Sequence, residues 1–342
     1  MLKLSIVIVN YKTAALVKQC IESIYDFEKE LSIEIIVVDN CSNDNVKEIL
    51  DSFINENISY IQMGYNSGFS RANNAGMKIA KGEYILLLNS DTYLTKANTL
   101  KNTLEFLKTK TKKDVLAPVL LHQDLSYQCS ARNWYFGWKD LLYANPFFIY
   151  FTRNNFDFRQ ERNAKDKKLH EHTGEVKWIN GAFQMFHHSI ITEFKLYYDN
   201  DFFLYGEDVE WAYRINKNGG RFYLLHSESL IHLGSASSEN LNMLKTAQIE
   251  LSNWLFIKKS FGRLYFIIYI FLDFLNMFID EIFWRVKTKG GEETIQNKKI
   301  RKIKKHLYSK YWWQILNNNN KTSDLKFNVY ENDKKFIQTQ TN

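Results

Sequence analysis

Four apolar runs in the first ninety residues each stop on polar side chains, and this pattern constrains the fold more than any other feature of the chain. "LSIVIVN" ends at Asn10, "IEIIVVDN" at Asp39 and Asn40, "ISYIQM" shortly before "YNSGFSRANNAG", and "EYILLLNS" at Asn89, Ser90 and then Asp91. Apolar β-branched runs with little alternation are typical of strands covered on both faces. Between them Leu16, Cys20, Ile21 and Ile24 recur at helical spacing, and residues 46–54 and 70–80 read as further helices. Strand, helix and strand in this order imply right-handed crossovers and a parallel sheet covered by helices. Ligands of such sheets sit beyond the carboxyl ends of the strands. The polar ends therefore share one rim, although each alone is also ordinary turn or cap chemistry.

With 342 residues, 45 % of them apolar, the chain can bury a sizeable core, as one large domain or one domain with an appendage. Its two prolines and 14 glycines argue against a long low-complexity region. Cys20, Cys41 and Cys129 have no metal-like spacing, so neither a disulfide framework nor a zinc site is expected, and a reducing compartment is the default. The opening "MLKLSIVIVNYKT" has a short apolar run and no small-residue cleavage site, and reads as a first strand in a cytoplasmic protein. The net charge of +7 is uneven: residues 285–342 hold 14 Lys/Arg against 5 Asp/Glu, whereas residues 1–284 hold 31 against 33.

The turn after the first strand, "NYKT", contains no glycine. This weighs against dinucleotide-dependent oxidoreductases, P-loop NTPases and nucleotidyltransferases, whose phosphates lie on a glycine-rich turn at that point. A glycoside hydrolase would need two facing carboxylates and no nucleotide, and nucleic-acid binding would explain the basic tail alone. An acidic strand end that meets an anionic ligand needs a cation between them. Mg²⁺ or Mn²⁺ takes few protein carboxylates and completes its shell with water and phosphate oxygens, so Asp91 would suffice as an anchor.

The segments "LSIVIVNYKT", "IIVVDNCSND", "NSGFSRANNAG", "YILLLNSDT", "WINGAFQMF" and "FFLYGEDVEWAYRINKNGGRFYLLHSESLIHLGSAS" resemble, in order and spacing, the family 2 glycosyltransferases, and within them the bacterial rhamnosyltransferase-like branch, over about residues 3–238. The resemblance implies a GT-A fold, a Rossmann-like mixed sheet flanked by helices. Residues 1–240 would be the transferase domain, with a nucleotide-sugar half (1–115) and an acceptor half (116–240). Residues 241–316 would be a basic helical extension and 317–342 a loose tail.

Residue by residue, the resemblance puts Asn10, Asp39, Asn66, Gly68, Arg71, Asn89 and Ser90 on the donor nucleotide and sugar. Asp39 would accept a hydrogen bond from the pyrimidine ring or, alternatively, cap the helix near Asn45. Gly68 would let backbone approach the ligand, and Arg71 would lie near phosphate. Asn73 and Gly76 fit better as packing residues. Asn89-Ser90-Asp91 stands where the family has Asp-x-Asp, so the first acid is missing and the metal falls to Asp91, with His232 able to complete its shell. Asp208 would be the base and Glu207 an acceptor-holding acid at a helix start. Trp178, Gly181 and Ala182 would contact sugar and acceptor. The implied reaction moves a sugar with inversion from a dTDP- or UDP-sugar, rhamnose first, to a lipid-linked saccharide of O-antigen or capsule.

The aromatic stretch Asn133–Arg162 has no clear period and fits an acceptor flap or core. "HEH" at 170–172 reads as exposed loop rather than metal site. "LYFIIYIFLDFLNMFI" (Leu264–Ile279) is 16 residues long and interrupted by Asp273, too short for a span of about 20 apolar residues, and reads as an interfacial or core helix. In "KKIRKIKKHLYSKYWW" lysines interleave with Ile300, Ile303, Leu307 and Tyr311 at helical spacing. Apolar stripe, lysine face and aromatic end suit peripheral attachment to the anionic inner face of the cell membrane, or else packing between two subunits. No nucleic-acid partner is expected.

Overall fold

The structure, a computed structural model, describes residues 3–54, 56–137, 158–234, 242–287, 295–317 and 327–339. Its contacts divide the chain into two compact units. The first comprises Met1–Trp134, Asp166–Phe203 and Glu207–Glu239, and the second Tyr135–Lys165, Leu204–Gly206 and Asn240–Asn342. The expected boundary near residue 240 separates most of the two units, while Tyr135–Lys165 and Leu204–Gly206 also belong to the second, which runs through the expected division at 316/317.

The first unit opens with β1 (Leu4–Asn10), α1 (Ala14–Phe27), β2 (Ile33–Asp39), α2 (Val46–Asp51), β3 (Ile58–Gln62), α3 (Gly68–Ile79), β4 (Tyr84–Asn89), β5 (Thr92–Tyr93), α4 (Thr99–Lys108) and β6 (Val115–Leu121). It continues through β7 (Ala131–Arg132), and then, after helix α5 (Phe158–Leu169), through β8 (Gly174–Val176), β9 (Trp178–Ile179), β10 (Phe183–His187), α6 (Ser189–Thr192), α7 (Glu207–Lys217) and β11 (Phe222–His232). Among the described residues nine strands make one mixed sheet in the order β3-β2-β1-β4-β10-β6-β11-β5, with β8 paired to β11, while β7 and β9 form a small second sheet.

β1, β2, β3 and β4 pair in parallel, as their uniform apolar runs require, and Ile6, Ile8, Ile36, Val38, Leu86 and Leu88 are buried. The register sets Asn10 opposite Asp39, Val9 opposite Asn89 and Asp39 opposite Gln62, which aligns the polar ends on one edge. Beyond β4 the chain departs from the parallel pattern. β10 runs antiparallel to both β4 and β6, and β11 runs parallel to β6 but antiparallel to β5. Pairing with β5 aligns Thr92 with His232 and Tyr93 with Ile231.

Gly76 packs α3 on the sheet as its sequence context suggested: a methyl group there would lie 2.3 Å from Val7 Cγ1 and 3.2 Å from Val38 Cγ2. Asn73 donates to the Phe69 carbonyl within the helix (3.0 Å). In the "HEH" segment Glu171 and His172 are exposed in a turn, as expected, whereas His170 is not. His170 is buried, accepting from the Ser130 N–H at Nε2 (3.1 Å) and facing the Asp166 carbonyl with Nδ1 (2.7 Å). Burial lowers its pKa, in keeping with a neutral ring that donates from one nitrogen and accepts at the other.

The second unit contains α8 (Asn242–Phe261), α9 (Arg263–Lys287), α10 (Ile295–Lys310), α11 (Trp312–Asn317), α12 (Val329–Asn332) and α13 (Lys334–Thr339). Leu251, Trp254, Leu255, Phe266, Tyr269, Ile303, Leu307 and Tyr311 are buried in it. Much of the lysine face expected to meet lipid is paired within the unit. Arg301 binds Asp280 (2.7 Å), Lys305 binds Glu281 (2.7 Å) and Lys310 binds Asp333 (2.7 Å). Lys304 reaches Glu250 (3.1 Å) and the buried Asp273 (3.3 Å), whose other oxygen accepts from Tyr308 (2.6 Å). The chain beyond Asn317 also differs from the loose tail expected: residues 327–339 are largely helical, with Phe327, Val329 and Ile337 buried. The expectations for residues 138–157, 235–238, 289, 318–326 and 340–342 lie outside the described residues, as do the side chains of Trp284, Arg285 and Lys287.

Replacing Gly76 by alanine should destabilise the protein by about 1–3 kcal/mol, because Val7 is held in the sheet and cannot yield the space. Urea unfolding measures this; a stability equal to wild type would mean that α3 shifts freely on the strands.

Candidate active site

The site is built on the polar edge of the first unit. At the start of that edge the fully buried Asn10 acts as a staple between loops. Its amide N–H₂ donates to Asp39 Oδ1 (2.9 Å), Ser42 Oγ (3.0 Å) and Asp44 Oδ1 (3.1 Å), and its oxygen accepts from the backbone and hydroxyl of Thr13. Asp39 is buried and accepts from Asn10, the Ser42 N–H (3.3 Å), Tyr60 OH (3.3 Å) and Gln62 Nε2 (2.6 Å). Its carboxylate is thus nearly saturated, and it makes no cap to α2. A ligand N–H reaching it has to displace one donor, and Gln62, exposed at the end of β3, is the one free to swing away.

The entrance to α3 is held from behind. Asn66 Oδ1 accepts from Asn40 Nδ2 (2.9 Å) and from the Gly68 N–H (3.3 Å), and Asn40 in turn accepts from Ser67 (2.7 Å). Gly68 has φ +80°, and a methyl group there would lie 2.4 Å from the Phe203 carbonyl. The close approach that requires glycine is made by the chain's own backbone, with Phe69 N–H donating to that carbonyl at 2.7 Å. Arg71 Nε donates to the carbonyl of Asn200 (3.1 Å), and Asn74 ties the same loop down through Tyr198 and the Asn200 side chain.

Ser90 and Asp91 form the turn between β4 and β5. Ser90 Oγ meets Thr13 Oγ1 at 3.0 Å. Because β5 pairs with the end of β11, His232 Nε2 lies 3.3 Å from Asp91 Oδ1 and 3.5 Å from Asn89 Nδ2. The ring's other nitrogen faces Gln128 Oε1 at 2.6 Å. The orientation of that amide follows from its nitrogen, which donates to the His232 carbonyl (3.3 Å). His232 Nδ1–H therefore donates to Gln128, which turns the lone pair of Nε2 toward Asp91.

Two acceptors facing each other across 3.3 Å repel unless a cation or a proton lies between them. Asn89 Oδ1 beside them is buried and has no hydrogen-bond partner among the described residues. One carboxylate oxygen, one imidazole nitrogen and an unsatisfied amide oxygen suit Mg²⁺ or Mn²⁺, Mn²⁺ more readily for the nitrogen. Among the described residues no cluster of three His, Cys, Asp or Glu side chains is found, so water and substrate would have to supply the remaining ligands.

The turn Asn180-Gly181-Ala182 connects this corner to the acidic helix start. The buried Ala182 offers its carbonyl to the Asn89 N–H (2.9 Å), and the Gly181 N–H donates to Asp208 Oδ2 (3.0 Å). Ala182 thus fixes the turn from within. Asp208 Oδ1 accepts from Val209 N–H (2.8 Å) at the first turn of α7. Burial pushes the Asp208 carboxyl above the ordinary aspartate range, and the Gly181 and Val209 N–H groups and the Arg132 charge recover only part of that. Glu207 is buried, and its Oε2 has no partner among the described residues. Desolvation first, and the charge of Asp208 second, raise its pKa well above the usual value.

Trp178 donates from Nε1 to the Trp134 carbonyl (2.8 Å), and the Arg132 guanidinium lies 5.0 Å from the Trp134 ring and 5.6 Å from the Trp178 ring. Arg132 and Gln128 were not recognised from the sequence. They occupy an unpatterned stretch, "YQCSARNW"; Arg132 reaches the site through the two-residue strand β7 paired to β9, and Gln128 through a backbone bond to Leu120, neither long enough to leave a periodic signal. A separate cavity of 560 Å³, lined by Leu121, Tyr127, His170 and His226 among others, includes none of the expected residues.

A mixed sheet whose first half is a parallel βα unit and whose edge gathers two acids, a histidine and a backbone turn is a GT-A architecture. The model for glycosyl transferase family 2 matches residues 5–181, just over half of the chain, and the chain belongs to that family. The glycosyltransferase GlyG of Streptococcus pneumoniae serotype 4 is 29% identical over 195 residues, which span 56% of each chain. The poly(ribitol-phosphate) beta-N-acetylglucosaminyltransferase TarS of Staphylococcus aureus is 32% identical over 111 residues, 31% of this chain and 19% of TarS. The chain thus spans little more than half of one relative and a fifth of the other. The mannosyltransferase PcManGT from Pyrobaculum calidifontis, solved with GDP-Man and Mn²⁺, superposes with a TM-score of 0.52 at 10% identity over 99% of this chain and 86% of that one, a likeness of fold.

Because Glu207 holds its proton more tightly in the folded chain, it supports folding at low pH. That support is lost as pH rises from the ordinary value of 4.5 through the raised folded value. Glu207→Gln, which cannot ionise, should show a smaller fall in melting temperature over that range than wild type; parallel pH dependences would mean that Glu207 is not held protonated.

Proposed function

We propose that the protein is a metal-dependent, inverting glycosyltransferase that moves a sugar from a nucleoside-diphosphate donor to a lipid-linked saccharide of the bacterial surface, as in O-antigen or capsule synthesis. The observation that carries this reading is one turn, Asn180 to Ala182, bonded to Asp208 on one side and to Asn89, two residues from Asp91, on the other. A base and an anion-directed cation site joined in this way match the needs of glycosyl transfer. Asp208 takes the proton of the acceptor hydroxyl while the acceptor oxygen bonds to the anomeric carbon and the bond to the diphosphate breaks on the opposite face.

The raised pKa of Asp208 makes it a stronger base than a solvated aspartate and still leaves it ionised once the pH exceeds that value. The Gly181 N–H fixes one carboxylate oxygen. Glu207, kept protonated, can donate to an acceptor oxygen, and the Arg132, Trp134 and Trp178 surface offers the flat apolar and cationic faces on which a sugar ring can pack. Asp91 Oδ1 and His232 Nε2 would hold Mg²⁺ or Mn²⁺, which when bound neutralises charge growing on the leaving diphosphate.

Motif resemblance favours a dTDP donor and rhamnose. The similarity to TarS, whose name specifies N-acetylglucosamine transfer, favours the second reading, an N-acetylhexosamine from a UDP donor, with galactofuranose a further alternative. Asp39, which would meet the pyrimidine ring, serves either nucleotide. A lipid-linked acceptor implies work at the inner face of the membrane, with no role for nucleic acid.

Thermal stability with UDP, dTDP and GDP, each in Mn²⁺ and in EDTA, tests the donor site. One pyrimidine diphosphate should stabilise the wild type by about 2.7 kcal/mol at a hundredfold excess over its dissociation constant, only with metal, and should not stabilise Asp91→Ala. No nucleotide effect, or an Asp91→Ala response equal to wild type, would overturn the reading. For the base, Asp208→Asn should lower kcat by about 10²–10⁴, and the acid limb of wild-type kcat/KM should lie above 3.8, the ordinary aspartate value. An unchanged kcat would remove Asp208 from the chemistry.

A further inference from the structure

Helix α9 shows an unusual exposure pattern. The exposed positions between Leu264 and Ile282 are Leu264, Ile267, Ile268, Phe271, Leu272, Phe274, Leu275, Phe278 and Ile282, all apolar. Phe271 is 64% exposed and Phe278 54%, values that a core side chain does not have. At 100° per residue these positions cover an arc of about 160° along about 27 Å of helix. The opposite face of the helix is spent on its own unit. Phe266, Tyr269 and Met277 are buried, Asp273 is buried against Tyr308 and Lys304, and Asp280 and Glu281 are paired with Arg301 and Lys305 of α10.

We infer that this face of α9 lies in the headgroup layer of an anionic lipid bilayer, parallel to its plane. The assignment moves the lipid contact from α10, whose apolar stripe is buried, to the preceding helix. Three observations favour lipid over a second copy of the chain. First, the apolar arc is too wide for a two-stranded seam. Leu264, Ile268, Phe271, Leu275, Phe278 and Ile282 follow 4–3 spacing, but the flanking Ile267, Leu272 and Phe274, where a paired coil carries charges, are apolar and exposed. An interfacial helix needs that width.

Second, the acids of α9 point away from the exposed face into ion pairs, so the face itself carries no negative charge to repel anionic headgroups. Third, basic residues bracket the stripe. Arg263 is exposed at its start, and the sequence continues past Ile282 with Arg285, Lys287 and Lys289 and no acid before Glu292. A cation at the end of an apolar face suits a surface of phosphate headgroups. Among the described residues no helix is long and apolar enough to cross a membrane, in keeping with a helix that lies on it.

The inference goes beyond the donor and base chemistry and stands apart from it. Full-length protein is sedimented with vesicles of phosphatidylcholine alone and of phosphatidylcholine mixed with phosphatidylglycerol, and its mass without lipid is measured by analytical ultracentrifugation. Wild type should pellet with the mixed vesicles, much less with the neutral ones, and less at high salt. The double variant Phe271→Ser with Phe278→Ser should lose at least about tenfold in partitioning, with its circular dichroism melt and its nucleotide response retained. Loss of nucleotide binding in wild type would sink the donor reading and leave this test intact. A wild type that ignores both vesicles, or a lipid-free dimer that the double variant splits into monomers, would overturn the proposal and assign the face to subunit contact. Equal binding to both vesicles would overturn the anionic part of it.

Discussion

A two-residue antiparallel bridge, β5 against the end of β11, is the constraint on which the proposed site depends. It aligns His232 with Thr92 and so brings an imidazole nitrogen to 3.3 Å from Asp91. Without it, the Ser90-Asp91 turn would be a polar strand end like its neighbours. With it, two electron pairs face each other beside an unsatisfied Asn89 oxygen, an arrangement that is unfavourable until something positive enters. Gln128 makes the conflict specific, because its carbonyl takes the Nδ1 proton and leaves Nε2 as an acceptor, with the Asn89 amide nitrogen 3.5 Å away as its other neighbour.

The second half of the site depends on backbone rather than on side chains. Asn180-Gly181-Ala182 sends one N–H to Asp208 and one carbonyl to Asn89, so a short turn sets the spacing between Asp208 and the corner that holds Asp91 and His232. The energetics of Glu207 and Asp208 follow from where α7 starts. Burial raises both pKa values, and adjacent acids in one buried corner resist ionising together. The helix dipole offsets part of this. The stronger rise at Glu207 than at Asp208 is what the proposed roles, base for Asp208 and proton-holding acid for Glu207, require.

The parallel part of the sheet was legible because β1, β2 and β4 are buried on both faces and change abruptly from apolar to polar side chains at their ends, at Val9 to Asn10, Val38 to Asp39 and Leu88 to Asn89. Gly76 was legible as a packing residue for the same reason. Pairings between distant residues were less so. Nothing in "YQCSARNW" announces that Gln128 would meet His232, or that Arg132 would lie between two tryptophans, because a single backbone bond and a strand of two residues carry no period. Gly68 was recognised as a close-approach glycine, but what approaches is Phe203. In the second unit, periodicity marked α10 as amphipathic and could not reveal that Asp280 and Glu281 lie opposite its cations. The loose-tail expectation failed over 327–339 because Val329 and Ile337, isolated apolar residues in a polar stretch, are buried.

The central claim is that Asp91 and His232 form a cation site serving a nucleoside diphosphate. The most direct measurement is a crystal of the protein grown with Mn²⁺ and UDP or dTDP, with diffraction recorded at the manganese absorption edge. The account predicts one anomalous peak within bonding distance of both Asp91 Oδ1 and His232 Nε2, with diphosphate oxygens completing its shell. A peak elsewhere, or nucleotide bound with Asp91 and His232 still facing each other and no metal between them, would contradict it.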